Sequence, residues 1–131
     1  MPELNFTPEQ RAAIDTRGST VLVSAAAGSG KTRVLTERLM AYLTDAENPV
    51  DIDRFLVITY TRAAAAELRS RILDGIYARI ASDPENRRLR RQVALCARAE
   101  IGTIHSFCAD FLRANCLSLI HISEPTRLRC I

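Results

Sequence analysis

The sequence has no tryptophan, a single lysine and no C-x-x-C pair among its four cysteines. Isolated cysteines favour neither a zinc site nor a redox dithiol, and we expect reduced, partly buried thiols, as in a cytosolic protein. The longest apolar run, residues 21–27, is far shorter than the roughly 20 residues that span a membrane. The first residues also lack the basic start and apolar stretch of an export signal. We therefore expect a cytoplasmic protein that does not contact a membrane.

Neither sign of charge is in large excess, because the net charge is only +3 over 131 residues. The charge alone therefore does not indicate a nucleic-acid binder. The hydrophobic fraction of 47% and the charged fraction of 25% are those of an average soluble domain, which excludes a disordered or collagen-like chain. This length fits one compact domain or part of a larger one. The basic residues are 17 arginines and Lys31, so the position of that one lysine is informative.

Short apolar runs alternate with helix patterns along the chain. Strands are predicted over residues 20–23, 55–60 and 100–104. A first helix opens at Thr7-Pro8, with Gln10 at the spacing of a capping box, and ends before Gly18. Further helices are predicted after residue 32 (Val34, Leu35, Leu39 and Leu43 inward), after residue 60 (Leu68, Ile72, Ile76 and Ile80 inward), from Asp83-Pro84 (Leu89, Val93 and Cys96 inward) and over 106–114. This alternation predicts an α/β fold with a parallel sheet and right-handed crossovers.

Residues 24–32 stand between a predicted strand and a predicted helix, which is the setting of a phosphate-binding P-loop. Gly28 and Gly30 can adopt a positive φ and turn backbone N–H groups toward phosphates, and the helix N-terminus adds partial positive charge. Lys31 would reach the β- and γ-phosphates, and the Thr32 hydroxyl would ligate Mg²⁺. The alternative is a glycine-containing turn that binds nothing. The predicted nucleotide-binding residues are Ser24, Ala25, Ala26, Ala27, Gly28, Ser29, Gly30, Lys31 and Thr32, with Lys31 and Thr32 as catalytic candidates and Ala25 in place of the usual first glycine.

Four motifs within residues 4–116 resemble, in order, those that open superfamily 1, UvrD-like DNA helicases. Residues 4–10 resemble the Q motif, residues 24–32 the Walker A motif, residues 59–68 motif Ia, and residues 102–108 the next DNA-contact motif. The resemblance implies a RecA-like P-loop NTPase fold with flanking helices, present only in part, with ATP and Mg²⁺ as cofactors. It also implies that Gln10 reads the adenine edge. The Walker A motif and the alanines of 63–66 look most like those of the AddA component of bacterial AddAB helicase–nucleases.

The same resemblance assigns six residues to nucleic acid: Tyr60, Thr61, Arg62, Thr103, His105 and Ser106. Tyr60 offers an aromatic face on which a base can stack, and Thr61 with the next helix N-terminus can hold a phosphate. Arg62 stands where the family usually has asparagine, so it either pairs with a phosphate or points to solvent. Structural alternatives stay open: Tyr60 as core at a strand end, His105 as a buried histidine bonded to backbone, and the arginines of 87–91 as a solvated face rather than a DNA track.

The resemblance divides the chain into two parts. Residues 1–116 are expected to be the N-terminal part of a UvrD-like ATP-binding domain (1A). Residues Leu117 to Arg127 read as the translation of a transposon-end sequencing adapter, so 117–131 is expected to be a non-native tail, with a genuine short strand and tail as the alternative. The printed sequence contains no Walker B-type Asp-Glu pair, no second motor domain and no nuclease motif.

The function implied for the parent protein is ATP-driven 3′–5′ translocation on single-stranded DNA, with duplex unwinding, in double-strand break repair in the bacterial cytoplasm. The expected partners are single- and double-stranded DNA and an AddB-type protein. Because phosphoryl transfer needs charges from several motifs that this sequence lacks, we expect the chain alone to hydrolyse ATP negligibly. The alternatives are another P-loop enzyme, such as a kinase, that binds nucleotide without unwinding DNA, and an inactive truncated reading frame.

Overall fold

The computed structural model describes residues 5–28 and 30–122, with side chains described through residue 116. Within that part, the elements are α1 (Pro8–Asp15), α2 (Lys31–Leu43), a 3-10 turn (Ile52–Arg54), β1 (Leu56–Thr59), α3 (Arg62–Ser82), α4 (Arg87–Cys96), β2 (Glu100–Thr103) and α5 (Ile104–Ile122). The predicted α/β class is confirmed. None of the described helices is long and apolar enough to cross a membrane. Residues 123–131 of the expected tail lie outside the described residues.

α1 begins where its sequence predicts. The Thr7 hydroxyl accepts a hydrogen bond from the Gln10 N–H at 3.3 Å, and Gln10 Oε1 accepts one from the Thr7 N–H at 3.0 Å. These reciprocal bonds form the predicted capping box, and they satisfy two N–H groups that the helix leaves unpaired. The helix buries Ile14 and ends at Asp15, before Gly18.

β1 and β2 form a parallel pair, with Val57 opposite Ile101 and Thr59 opposite Thr103. Val57 and Ile101 are buried, and α3 and α4 make the crossover between the two strands. A crossover of this length is what a parallel pair requires. The strands therefore end at one edge of the sheet, and that edge is followed by the N-termini of α3 and α5.

The predicted strand over residues 20–23 is wrong for the described structure, in which this segment forms no strand. Leu22 is 93% exposed and Val23 is 46% exposed. A strand is held by hydrogen bonds to a neighbouring strand, and in the described part β1 and β2 pair only with each other. Without such a neighbour, β-branched composition left the segment extended and exposed.

The core lies where α2 and α3 pack on the sheet. α3 buries Leu68, Ile72 and Ile76 at the predicted spacing of four residues, and α2 buries Leu39, Met40 and Leu43. The remaining core residues are Ile52, Val57, Leu95, Cys96, Ala99 and Ile101, with Ile80 and Val93 partly buried beside them.

Leu35 departs from the predicted inner face of α2, since it is 39% exposed. It borders an open cavity of about 300 Å³ that Val21 and Val23 also line. The side of α2 that faces residues 20–23 is therefore incompletely covered, because that segment does not pack as a strand.

α4 begins at Arg87 rather than at the predicted Asp83-Pro84. The Asn86 side chain accepts a hydrogen bond from the Leu89 N–H at 3.2 Å and caps the helix, while Asp83 and Pro84 lie in the turn before it. Leu89 and Cys96 are buried as predicted, and burial raises the pKa of the Cys96 thiol. The three cysteines of the described part, Cys96, Cys108 and Cys116, are free thiols, and only Cys96 is buried.

A buried glutamine joins α4 to the turn before β1. Gln92 Oε1 accepts from the Ile52 N–H at 2.9 Å, and Gln92 Nε2 donates to Asp51 Oδ1 at 2.7 Å. Arg88 donates to the same carboxylate at 2.9 Å and also to the Leu43 carbonyl. The hydrogen bond from Gln92, with the charges of Arg88 and Arg91, holds the pKa of Asp51 below its ordinary value despite partial burial. Arg88 therefore has a structural role in the arginine cluster of 87–91.

Candidate functional site

The loop before α2 has the backbone conformation that its glycines predict. Gly28 has φ +78° and Gly30 has φ +83°, a region that residues with a Cβ rarely adopt. Gly30 precedes the first residue of α2, so the first-turn N–H groups of that helix open toward the loop. Ser29, which is also predicted to bind nucleotide, lies outside the described residues.

Lys31 reaches back across this loop. Its Nζ donates to the Ala25 carbonyl at 2.5 Å and to the Ala26 carbonyl at 3.2 Å. Thr32 follows in the first turn of α2, where its side chain is exposed. Ser24 and Ala27 are exposed on the same segment. The lysine ammonium and the threonine hydroxyl thus stand at the N-terminus of a 13-residue helix, where an anion is favoured.

Gln10 lies beside the loop. A Cβ placed on Gly30 would stand 3.7 Å from Gln10 Nε2. The capping box uses Gln10 Oε1, so the amide nitrogen is the end of the side chain nearer to Gly30. α1 also packs on α2 through Arg38, which donates to the Ala13 carbonyl at 2.5 Å. The structure therefore brings the predicted adenine-reading residue next to the loop, because the two helices pack together.

The strand ends bring the two predicted DNA-contact motifs together. Thr59 and Thr103 are register partners, and the Thr59 hydroxyl donates to the Gly102 carbonyl at 3.4 Å. Thr61 caps α3 by accepting from the Ala64 N–H at 3.1 Å. Thr103 does the same for α5, accepting from the Ser106 N–H at 3.2 Å, with its hydroxyl 3.0 Å from Ser106 Oγ. Two helix N-termini therefore lie side by side at one sheet edge.

Exposure decides between two of the alternatives left open by the sequence. Tyr60 is fully exposed, so it is not core at the strand end. His105 is exposed in the first turn of α5, so it is not a buried structural histidine. Arg62 is exposed as the first residue of α3. These three side chains are open to a ligand, whereas Thr61 and Thr103 already serve as helix caps.

The loop and the strand ends form two separate clusters in the described structure. Among the described residues, no hydrogen bond or ion pair joins residues 24–32 to residues 59–62 or 102–106. The segment that would bring the loop to the sheet edge is 20–23, which forms no strand.

Arg69 was not predicted from the sequence. From α3 its guanidinium donates to the Cys96 carbonyl at 2.5 Å and to the carbonyls of Ala99 and Ile101, each at 3.2 Å. It thereby ties the helix that follows β1 to the segment that leads into β2. The available signal was position: Arg69 follows the buried Leu68, on a helix whose inner face is otherwise apolar.

Comparison with known proteins places this geometry in a family. The family model described as "UvrD/REP helicase N-terminal domain" matches residues 6–128. The chain belongs to the UvrD/REP helicase family. The predicted resemblance is therefore confirmed. The match runs past residue 116, so the boundary between native part and tail stays a prediction.

Similar proteins are AddA components of ATP-dependent helicase/nucleases. The UvrD/REP chain is 53% identical over 111 residues to the AddA protein of Clostridium acetobutylicum, in a match that covers 85% of this chain and 9% of that protein. It is 56% identical over 110 residues to the AddA protein of Thermoanaerobacter sp. (strain X514), covering 84% and 9%. It is 51% identical over 115 residues to that of Clostridium beijerinckii, covering 88% and 9%. The predicted AddA-type likeness is thus confirmed, and the chain spans about 9% of the length of these relatives.

Proposed function

We propose that this chain is the ATP-binding and single-stranded-DNA-binding N-terminal part of an ATP-dependent DNA helicase of the helicase/nuclease type. Residues 1–116 form part of its 1A domain in this proposal, and residues 117–131 are a non-native tail. The observation that carries the proposal is the loop of residues 24–32, whose glycine conformations and lysine suit a triphosphate, in a chain of the UvrD/REP family.

The residues at the loop fit a nucleotide with its metal ion. A Cβ at Gly28 would meet nothing within 4 Å, so the loop leaves open space there. Backbone N–H groups of 28–32 and the ammonium of Lys31 would hold the phosphates, and Gln10 would read the adenine edge. The exposed hydroxyl of Thr32 would ligate Mg²⁺, which supplies positive charge to the phosphates when bound. The Lys31 bonds to Ala25 and Ala26 keep the ammonium at the loop.

Single-stranded DNA would bind at the edge where β1 and β2 end. Tyr60 is fully exposed and free to stack on a base, which suits sequence-independent binding. The N-termini of α3 and α5, with Arg62, His105 and Ser106, offer donors to the phosphates. In open α/β sheets, ligands bind at the carboxyl ends of strands, and this edge follows that rule.

The fold we propose is a RecA-like parallel sheet that is present only in part. Leu56 and Ile58 of β1 are half-exposed and border a cavity of about 400 Å³, which Leu35 also lines. That cavity and the one beside Val23 lie on the two sides of Leu35. Because the chain spans only about 9% of its relatives, we propose that further strands of the full protein fill this space.

The whole protein would be a 3′–5′ translocase on single-stranded DNA that unwinds duplexes for double-strand break repair in the bacterial cytoplasm, with an AddB-type partner. The names of its relatives, which join helicase to nuclease, support this proposal. The chain alone should hydrolyse ATP negligibly, because the printed sequence has no Walker B-type Asp-Glu pair. Steady ATP turnover that Lys31→Ala abolishes would contradict this.

Titration of the full chain with a fluorescent ATP analogue and Mg²⁺ tests the nucleotide site. Lys31→Ala removes the charge-assisted hydrogen bonds to the phosphates, each kind of which contributes about 1.5–3 kcal/mol, so the affinity should fall about 10- to 100-fold. Lys31→Arg should not restore it, because a planar guanidinium does not replace a compact ammonium in a tight loop. Arg71→Ala, which removes an exposed cation on α3, is the matched control. Equal affinity of the wild type and Lys31→Ala would contradict the proposal.

A further inference from the structure

α4 presents a face made of arginines that the proposed site does not use. Arg87, Arg90 and Arg91 lie three and four residues apart, which places them on one side of the helix, and we call them the arginine face. Arg87 and Arg90 are exposed, and the side chain of Arg91 is 66% exposed. Ala94 follows on the same side and is exposed, so no bulky side chain interrupts the surface.

The arginine face is not neutralised within the described residues. Arg91 approaches Asp51 Oδ2 at 3.5 Å, but that carboxylate already accepts from Gln92 and Arg88. Arg87 and Arg90 make no ion pair in the part of the chain that the structure describes. A positive charge remains there that no neighbouring side chain balances.

The placement of these arginines is unfavourable for the helix itself. α4 has no acidic residue in its first turn, where the helix dipole favours negative charge. Arg87 also repels Arg90 and Arg91 at the spacings where opposite charges would stabilise a helix. Local rules that are broken without local compensation are expected at functional surfaces.

The face lies away from the proposed single-strand site. α4 leads through residues 97–99 into Glu100, the amino end of β2, whereas Tyr60 and His105 lie at the carboxyl ends of the strands. The sequence of α4, Arg-Arg-Leu-Arg-Arg-Gln-Val-Ala-Leu-Cys, contains no aromatic residue on which an unpaired base can stack. Contacts from this face would therefore be to backbone phosphates alone, as in sequence-independent binding of a duplex.

We propose that the arginine face of α4 binds the phosphate backbone of duplex DNA, at a site distinct from the single-strand site. The inference rests on the proposed function, since it takes DNA as the ligand of the chain. Guanidinium groups match phosphate oxygens in bidentate geometry. Arg88 fixes the helix by its bonds to Asp51 and Leu43, so the face is held rigidly against the turn before β1.

The test measures binding of the full chain to a labelled hairpin duplex over a salt series. Arg87→Gln with Arg90→Gln should weaken duplex binding about tenfold and lower the salt slope by about 1.8, because each phosphate contact contributes about 0.9. Arg87→Lys with Arg90→Lys keeps the charges and should keep most of the slope. The matched control, Arg71→Gln with Arg113→Gln, removes two exposed charges that are paired with Glu67 and Asp110, and should change the slope little.

Two parallel titrations separate this inference from the proposed function. Binding of an oligo-dT strand and of the ATP analogue should be the same in the Arg87→Gln, Arg90→Gln variant as in the wild type. Duplex affinity and salt slope that match the wild type in that variant would overturn the inference, as would a chain that binds oligo-dT but no duplex. Binding of polyglutamate that depends on Arg87 and Arg90, without duplex binding, would overturn it in favour of an acidic protein partner. Loss of ATP and oligo-dT binding in the wild type, with duplex binding kept, would contradict only the proposed function.

Discussion

Tyr60 is the side chain whose surroundings most directly suit a nucleic-acid base. It follows the last residue of β1 and is fully exposed, although tyrosine at a strand end commonly packs. Its neighbours Thr59 and Thr61 are engaged in hydrogen bonds to backbone groups, so the chain around it is fixed. An exposed aromatic ring on a rigid turn loses little conformational freedom when a base stacks on it.

Tyr60→Ala should weaken oligo-dT binding about 5- to 150-fold, because stacking of a base on an aromatic ring contributes about 1–3 kcal/mol. Tyr60→Phe keeps the ring and should bind as the wild type does. Tyr77→Ala on α3, where the tyrosine is also about half exposed but lies far along the helix from the sheet edge, is the control. Fluorescence anisotropy of a labelled strand gives the affinities, and an unchanged affinity in Tyr60→Ala would rule out a stacking role.

At the residue scale, the sequence predicts conformation better than surroundings. The positive φ values of Gly28 and Gly30 and the Thr7–Gln10 capping box follow from local chemistry, and the structure has both. The exposure of Tyr60 and His105 depends on what packs beside the sheet edge, which the motifs do not contain. The roles of the predicted site residues stay predictions that the experiments above address.

α3 connects the two strand-end motifs through one arginine. The three hydrogen bonds from Arg69 to carbonyl groups cross the space between α3 and the segment before β2. Cys96 ends α4, so Arg69 also satisfies a carbonyl that a helix C-terminus leaves unpaired. The guanidinium therefore holds α4 and β2 in place relative to α3.

Arg69→Met should lower the free energy of unfolding by about 1.5–3 kcal/mol, since partly buried carbonyl groups lose charged donors. Arg71→Met, on the same helix, removes only an exposed ion pair with Glu67 and should cost at most about 1 kcal/mol. Urea denaturation followed by circular dichroism compares the two variants. Equal losses in both would show that the bonds of Arg69 contribute no more than a surface pair.

Acid should weaken the attachment of α4 to the turn before β1. The pKa of Asp51 is lowered in the folded chain, first by the hydrogen bond from Gln92 and then by Arg88 and Arg91. A lowered folded pKa gives stability that is present above the unfolded value of about 3.9 and is lost as pH falls through the folded pKa. The free energy of unfolding should therefore fall below about pH 4, and Asp51→Asn should reduce that fall while lowering stability at neutral pH. An acid profile identical in the wild type and Asp51→Asn would contradict this assignment.

At the element scale, local periodicity locates the helices and fails where contacts are distant in sequence. The spacing of Leu68, Ile72 and Ile76 gives the buried face of α3 correctly. The start of α4 depends on the cap at Asn86, which competes with the earlier Asp83-Pro84 signal. Gln92 was not predicted as a core residue, because its burial depends on partners about forty residues earlier in the chain.

Over the whole molecule, the described sheet has two strands, and its second predicted neighbour does not form. Leu22 and Val23 stay exposed, and so do Leu56 and Ile58 on β1. Exposed apolar strand edges of this kind favour association with further chain segments. The sequence predicts the residues that favour strands, but pairing depends on neighbours that the relatives, with about eleven times the length, have room to supply.

The central claim is that one chain carries both a nucleotide site at residues 24–32 and a single-strand site at the ends of β1 and β2. Amide chemical shifts of the isotope-labelled chain, followed by NMR during titration with ADP and Mg²⁺ and then with oligo-dT, test it directly. We predict that the nucleotide shifts amides of 28–32 and the Gln10 side-chain amide, and that the strand shifts amides of 60–62 and 103–106. Shifts confined to other regions, or no saturable shift with either ligand, would contradict the account.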